Sequence, residues 1–217
     1  MNNLLPGLKK FSEHVFPQQQ KLFESLSHGQ KPHTLLITCS DSRIDPNLVT
    51  QTNPGELFVV RNAGNIVPPF GASKGGGEEA AIEFAIDGLG VSNIVICGHS
   101  HCGAMAALTG KVNLDSFPSV KNWLRHAQST KKRMETKYYN AFELHHVVEE
   151  NVLVQVENLK THPSVSASVS LGRTRIFAWV YSFETGSIAV YDPKLKRYLP
   201  SIEVREESQK DVSRFAL

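Results

Sequence analysis

The chain is short of cysteine, of net charge and of long apolar runs, and each shortage removes a class of protein. Three cysteines occur in 217 residues. The number is odd and Cys97 and Cys102 stand only five apart, so a disulfide framework is not expected. Free thiols that bind metal in a reducing compartment are the better reading. Lys and Arg number 23 against 21 Asp and Glu, a net charge of +2, which is too little to argue for nucleic acid as a partner. No stretch is apolar for long enough to cross a bilayer, so no membrane role is expected. The opening MNNLLPGLKKFSEHVF lacks an uninterrupted apolar core and a small-residue cleavage site. A secretory signal is therefore not expected, and a cytoplasmic protein is. Repeats, low-complexity tracts and linkers are missing too. What remains, 41% hydrophobic and 20% charged residues, is the composition of a soluble globular domain.

The pattern of residues predicts one domain over 1–217, with a helical arm over 1–30 and an α/β core over 31–217. In the arm, Leu4, Leu5, Leu8, Phe11, Val15 and Phe16 recur near the helical period. Pro17 then fits the start of a second helix carrying Leu22, Phe23 and Leu26. HTLLITC (His33 to Cys39), ELFVVRN and NIVICGH (Asn93 to His99) read as buried strands. Asp45-Pro46 caps and opens a short helix. Between the second and third strands, Ala80, Ala81, Phe84, Ala85 and Leu89 follow at helical spacing. The Gly75-Gly76-Gly77 run ahead of them has no Lys-Ser/Thr pair behind it, so it reads as a flexible helix start rather than a phosphate cradle. Strand, helix and strand with short connections make a parallel sheet. Helices are predicted from about Ser119 to Met134 and from Phe142 to Leu159, with another starting at Pro163. TRIFAWVYSFETGSIAVYD reads as an antiparallel edge hairpin turning at Glu184-Thr185-Gly186. The fold class is α/β, a mostly parallel sheet flanked by helices.

Two short stretches carry chemistry. In open parallel sheets, ligands bind beyond the carboxyl ends of the strands, where strand order reverses. CSDSR sets Cys39, Asp41 and Arg43 at one such end, and CGHSHCG sets Cys97, His99, His101 and Cys102 at another. If the two strands are neighbours, a thiolate from one meets an imidazole and a thiolate from the other. Two Cys and one His suit zinc, and three protein ligands leave a fourth position open, the mark of a catalytic site. Cys97, inside the apolar strand, reads as a small core residue. His101 is an alternative to His99, ranked second because a residue directly beside Cys102 has poorer reach for chelation.

CSDSR and GHSHCGAM, with FVVRNAGNIVPP between them, resemble the β-class carbonic anhydrases, and most of all the bacterial and cyanobacterial members that carry RNAGN. The likeness extends through the N-terminal helices and into THPSV and the final hairpin. The resemblance implies an enzyme that hydrates carbon dioxide reversibly to bicarbonate and a proton, through hydroxide formed on zinc. It implies one Zn²⁺ per chain on Cys39, His99 and Cys102, with Asp41 and Arg43 as the catalytic dyad. Gln30 and the backbone N–H of Gly103 correspond to groups that bind bicarbonate, and Phe58, Ala63 and Phe84 to the apolar wall that receives CO₂. Some relatives have tyrosine where Phe84 stands, so a hydroxyl is missing here. In the family the glutamine and part of the wall come from a partner subunit, which implies a homodimer or a dimer-based oligomer.

A subset of bacterial relatives has tryptophan three residues before the zinc cysteine, in a bicarbonate site that switches the enzyme off by bringing the aspartate onto zinc. Leu36 stands there in this chain, so Asp41 is expected to stay with Arg43. For the proton released, His28, His33, His145 and His146 are equal candidates. Two rival readings are a CS₂ or COS hydrolase on the same zinc site, and a non-catalytic zinc-stabilised scaffold. The scaffold would be marked by loss of Asp41 or Arg43, or by a fourth protein ligand.

Overall fold

The computed structural model describes residues 4–138, 141–203 and 212–217. It divides into two compact units, Met1–Lys31 and Pro32–Leu217. The first is helical from Leu5 to Leu26, with α1 (Leu5–Lys10), one wider π turn (Phe11–Val15) and α2 (Phe16–Leu26), whose first turn holds Pro17. The rings of Phe11, Phe16 and Phe23 cluster at centroid distances of 5.5–6.2 Å. Leu4, Leu5 and Leu8 are exposed.

The second unit is built on a six-stranded sheet in the order β2-β1-β3-β4-β5-β6. Its strands are β1 (Thr34–Cys39), β2 (Leu57–Asn62), β3 (Asn93–His99), β4 (Arg175–Tyr181), β5 (Ile188–Asp192) and β6 (Arg197–Pro200). The first four pair in parallel and the last two add antiparallel. Branched residues dominate β1 and β3, the central parallel strands, where burial is nearly complete: all six residues of β1 are buried. On one face Leu35, Ile37, Ile94, Ile96 and Ile176 meet Ile82 and Ala85, together with Val152, Val156 and Leu159. Those partners come from α4 (Gly77–Glu83), the π turn behind it, and α8 (Leu144–Lys160). Each such side chain contributes about 1.5–3 kcal/mol on burial. Gly98 lets α8 approach β3 closely, since a Cβ there would lie 2.8 Å from Val152 Cγ2 and 2.9 Å from Val148 Cγ1. On the other face Leu36, Val95, Leu57, Phe177 and Trp179 line an apolar groove of about 390 Å³.

Two expectations differ from this structure. The helix predicted from Ser119 to Met134 is broken into α6 (Pro118–Trp123), a 3₁₀ turn (Leu124–Ala127) and α7 (Gln128–Tyr138). The turn buries Leu124 and Ala127 against Met105 and Val148, a tertiary demand that periodicity does not express. The C-terminal hairpin is also followed by a further strand, β6, which pairs Arg197 with Asp192 and Leu199 with Val190. Four residues are too few to show alternation. Asp192, fully buried, closes the β5–β6 turn by accepting from the N–H groups of Lys194 and Leu195 and from Arg214 Nη2 at 2.7 Å. Among the described residues no helix is long and apolar enough to cross a membrane.

Candidate metal centre

In the order β2-β1-β3 the succession of strands reverses between β1 and β3, which run parallel and end at their carboxyl ends in Cys39 and His99. Beyond β3 the chain turns within two residues and enters α5 (Gly103–Leu108), with Cys102 as the extended residue just before it. Cys39, His99 and Cys102 therefore meet, and their ligand atoms all lie within 4.8 Å of one another. All three are buried, His99 completely. Among the described residues this group has three members and no fourth.

The hydrogen bonding prepares each donor. His99 Nδ1 lies 2.8 Å from the carbonyl oxygen of Ser100. A carbonyl can only accept, so Nδ1 carries the proton and Nε2 presents a lone pair. That buried Nε2 has no hydrogen-bond partner, a condition that costs about 1–3 kcal/mol unless something fills it. The N–H of Gly64 points at Cys39 Sγ from 3.3 Å. Only glycine serves there: φ is +84°, and a Cβ would lie 2.9 Å from that of Ala104. A hydrogen bond shared with Cys102, helped by the N–H groups of Gly64 and Asp41, holds the Cys39 thiol well below its ordinary value against the pull of burial. The Cys102 thiol is pushed up correspondingly by that shared proton and by burial. A divalent cation would take the place of the shared proton, as metal binding to thiols does generally. Two thiols and a buried, unpartnered imidazole nitrogen fit zinc.

Asp41 and Arg43 sit at the rim. Arg43 Nε and Nη2 donate to Asp41 Oδ1 and Oδ2 at 2.9 and 2.8 Å, and the Arg43 N–H adds a third bond to Oδ1 at 3.1 Å. This fork holds the Asp41 carboxyl well below the usual carboxylate range. Asp41 Oδ2 is also 4.0 Å from His99 Nε2. Arg61 braces the loop from behind, donating to the carbonyls of Cys39 (3.0 Å) and Asp41 (2.8 Å).

These observations match known proteins. The carbonic anhydrase family model covers residues 34–188. The chain belongs to the carbonic anhydrase family. The carbonic anhydrase of Synechococcus elongatus is 49% identical over 193 residues, 87% of this chain and 70% of that one. The β-carbonic anhydrase CcaA superposes with a TM-score of 0.88 at 43% identity, over 92% of this chain and 91% of that one. One of two tetrameric β-carbonic anhydrases from Sordaria macrospora gives 0.77 at 25% identity, over 87% and 95%. The resemblance read from the sequence holds, as do the enzyme class, the zinc cofactor and the α/β fold with its N-terminal helices and antiparallel C-terminal strands.

Not every predicted residue comes to this centre. Gly103 follows Cys102 directly as the first residue of α5. Ala63 lies beside Gly64, its carbonyl accepting from Trp123 Nε1 at 2.8 Å. Phe58 pairs in register with Leu35, whereas Cys39 pairs with Asn62. Four rungs separate them, about 13 Å along the strand. Phe58 instead packs against Phe84, their centroids 6.1 Å apart, and Phe84 is half exposed. Gln30 belongs to the first unit. His33 precedes the amino end of β1, six residues or about 20 Å along the strand from Cys39. Leu36 points to the sheet face opposite Cys39. Gly64, Arg61, Phe183 and Glu184 were not singled out from the sequence, though the first two lie inside the quoted RNAGN stretch.

The two histidines are now separable. His101 has φ +55° and its Nε2 bonds Glu184, outside the group of three. His99→Ala is expected to lose stoichiometric zinc and His101→Ala to keep it, as read by metal analysis of the purified variants. The reverse pattern would exchange their roles.

Proposed function

We propose that this chain catalyses the reversible hydration of carbon dioxide to bicarbonate and a proton, with Asp41 and Arg43 orienting the nucleophile. The observation that carries it is the unpartnered His99 Nε2 between two thiols, 4.0 Å from a carboxylate locked by arginine. Cys39, His99 and Cys102 would hold zinc, which would supply the Lewis acidity that brings the pKa of a bound water toward about 7. Asp41, kept ionised by Arg43, accepts a hydrogen bond from the attacking water and turns its lone pair toward CO₂. The Gly103 N–H binds one bicarbonate oxygen, and the Gln30 amide, which the family resemblance assigns to a partner subunit's centre, binds another there. Phe58, Ala63 and Phe84 form the apolar wall, which suits a nonpolar substrate needing no charged anchor. Phe58 stands about 13 Å along the strand from this chain's own centre, which suits a wall supplied to a partner's centre in a homodimer or an assembly of dimers. The tetrameric relatives favour the same reading. Three free thiols, two of them in the metal group, suit the reducing cytoplasm.

Stopped-flow CO₂ hydration before and after removal of zinc by a chelator tests the reading. Activity should disappear with the metal and return when zinc is added back; hydration that survives complete zinc removal would sink it. The pH profile adds a second check. A carboxyl with a depressed pKa stays ionised until the pH falls well below about 4, so Asp41 contributes no step near neutrality. With Leu36 in place of tryptophan, activity should fall gradually from neutral to acid pH. A steep, multi-proton loss just below neutrality would contradict this.

A further inference from the structure

The turn between β4 and β5 reaches across to the metal loop, and neither the zinc chemistry nor the Asp41–Arg43 pair accounts for it. Glu184 in that turn accepts from Ser100 Oγ at 2.9 Å and from Ser182 Oγ at 2.7 Å on Oε2, and its Oε1 accepts a hydrogen bond from His101 Nε2. The neighbouring Phe183 N–H donates to Ser100 Oγ at 3.0 Å, and the Ser100 N–H donates to the Tyr181 carbonyl at 2.8 Å. Ser100 and His101 are the only two residues between the ligands His99 and Cys102. Both are thus fastened from outside. The fastening is needed, because His101 sits in the left-handed region at φ +55°, unfavourable for any residue with a Cβ. In that conformation its carbonyl lies 3.3 Å from Arg43 Nη2. The Phe183 ring stands 5.1 Å from the ring of His99 and 4.4 Å from the Arg43 guanidinium carbon. One turn therefore touches a ligand, the loop between two ligands, and the arginine of the dyad.

We infer that Glu184 is a positioning residue of the metal centre, which holds the Ser100-His101 turn so that His99 and Cys102 present their donors together and the His101 imidazole stays outside. The inference rests on the zinc-site reading. The plain alternative is an exposed carboxylate pairing with an exposed histidine, since their side chains are 50% and 61% accessible. Such a pair contributes little to stability. That difference makes the two readings separable. Partners behind metal ligands typically govern metal affinity by tenfold to a hundredfold.

The test measures transfer of zinc from the holoprotein to an excess of a chromophoric chelator, alongside the melting temperature of the metal-free protein. Glu184→Ala should release zinc about tenfold faster or more, while the metal-free melting temperature moves by no more than about 2 °C. Glu184→Asp keeps the charge but is one methylene too short to span Ser100 and His101, and should behave like the alanine variant. Glu184→Gln keeps an acceptor oxygen for the serines and should stay within about threefold of the native rate. Native release rates in Glu184→Ala and Glu184→Asp would overturn the inference. So would a glutamine variant as fast as alanine, which would reduce the effect to charge. Cys39→Ala serves as the control. If it retains a full equivalent of zinc, the zinc-site reading itself has failed, whatever the Glu184 variants do.

Discussion

Cys39→Ala is expected to lose zinc and CO₂ hydration together, leaving less than about 0.1 equivalent of metal per chain and activity at the uncatalysed background. Removing this thiol leaves one sulfur and one imidazole, and two ligands do not hold zinc against buffer and competing protein. The effect should be a property of the centre rather than of the fold. Cys39 lies at the carboxyl end of β1, and truncating one sulfur there costs about 1 kcal/mol in packing, small against the stability of a domain this size. Metal analysis, stopped-flow hydration and circular dichroism on the same preparation separate the two. A native-like spectrum without zinc or activity is the expected result. Full zinc retention would hand the ligand role to another group, with Cys97 the nearest in type. That residue is poorly suited, since burial pushes its thiol up to about 12.

The second large effect is expected at Asp41. Asp41→Asn keeps the side chain's shape, so zinc should remain at one equivalent while hydration falls by about 10²–10³-fold. The amide cannot reproduce both carboxylate oxygens. One acceptor facing Arg43 becomes a donor, which breaks the fork of 2.9 and 2.8 Å bonds and leaves the nucleophile without a charged acceptor. The backbone is held independently, by Arg61 on the Asp41 carbonyl, so the loop should stay in place. The loss should appear in kcat more than in KM, because orienting the attacking oxygen matters most at the transition state. Activity within about threefold of native would remove Asp41 from the mechanism.

Much of this protein was legible before any coordinates. Periodicity placed β1, β2, β3 and the β4–β5 hairpin within a residue or two, because buried strands must be apolar and branched wherever they run. Asp45 before Pro46 marked α3 (Pro46–Thr50), and its carboxylate does accept from the Leu48 N–H. The zinc donors were legible for a chemical reason: few demands other than a metal bring Cys, His and Cys to two strand ends. The break at Leu124–Ala127 and the strand β6 were not legible, since each exists only by virtue of a partner distant in sequence.

The choice between His99 and His101 shows where the sequence by itself stops. Residue types and spacing determined that zinc would bind, at which strand ends, and with which kinds of donor, because those depend on chemistry and local backbone direction. They ranked His99 ahead of His101 on reach alone, since both histidines lie within three residues of Cys102. Tertiary structure decided it, through a glutamate 83 positions beyond His101 that captures one ring and a carbonyl that fixes the tautomer of the other. The same holds for Phe58, whose distance from this chain's own centre follows from strand register and not from residue type. Local chemistry is written in short stretches of chain. The contacts that aim it are set by packing between segments far apart, and those are energies of the folded whole.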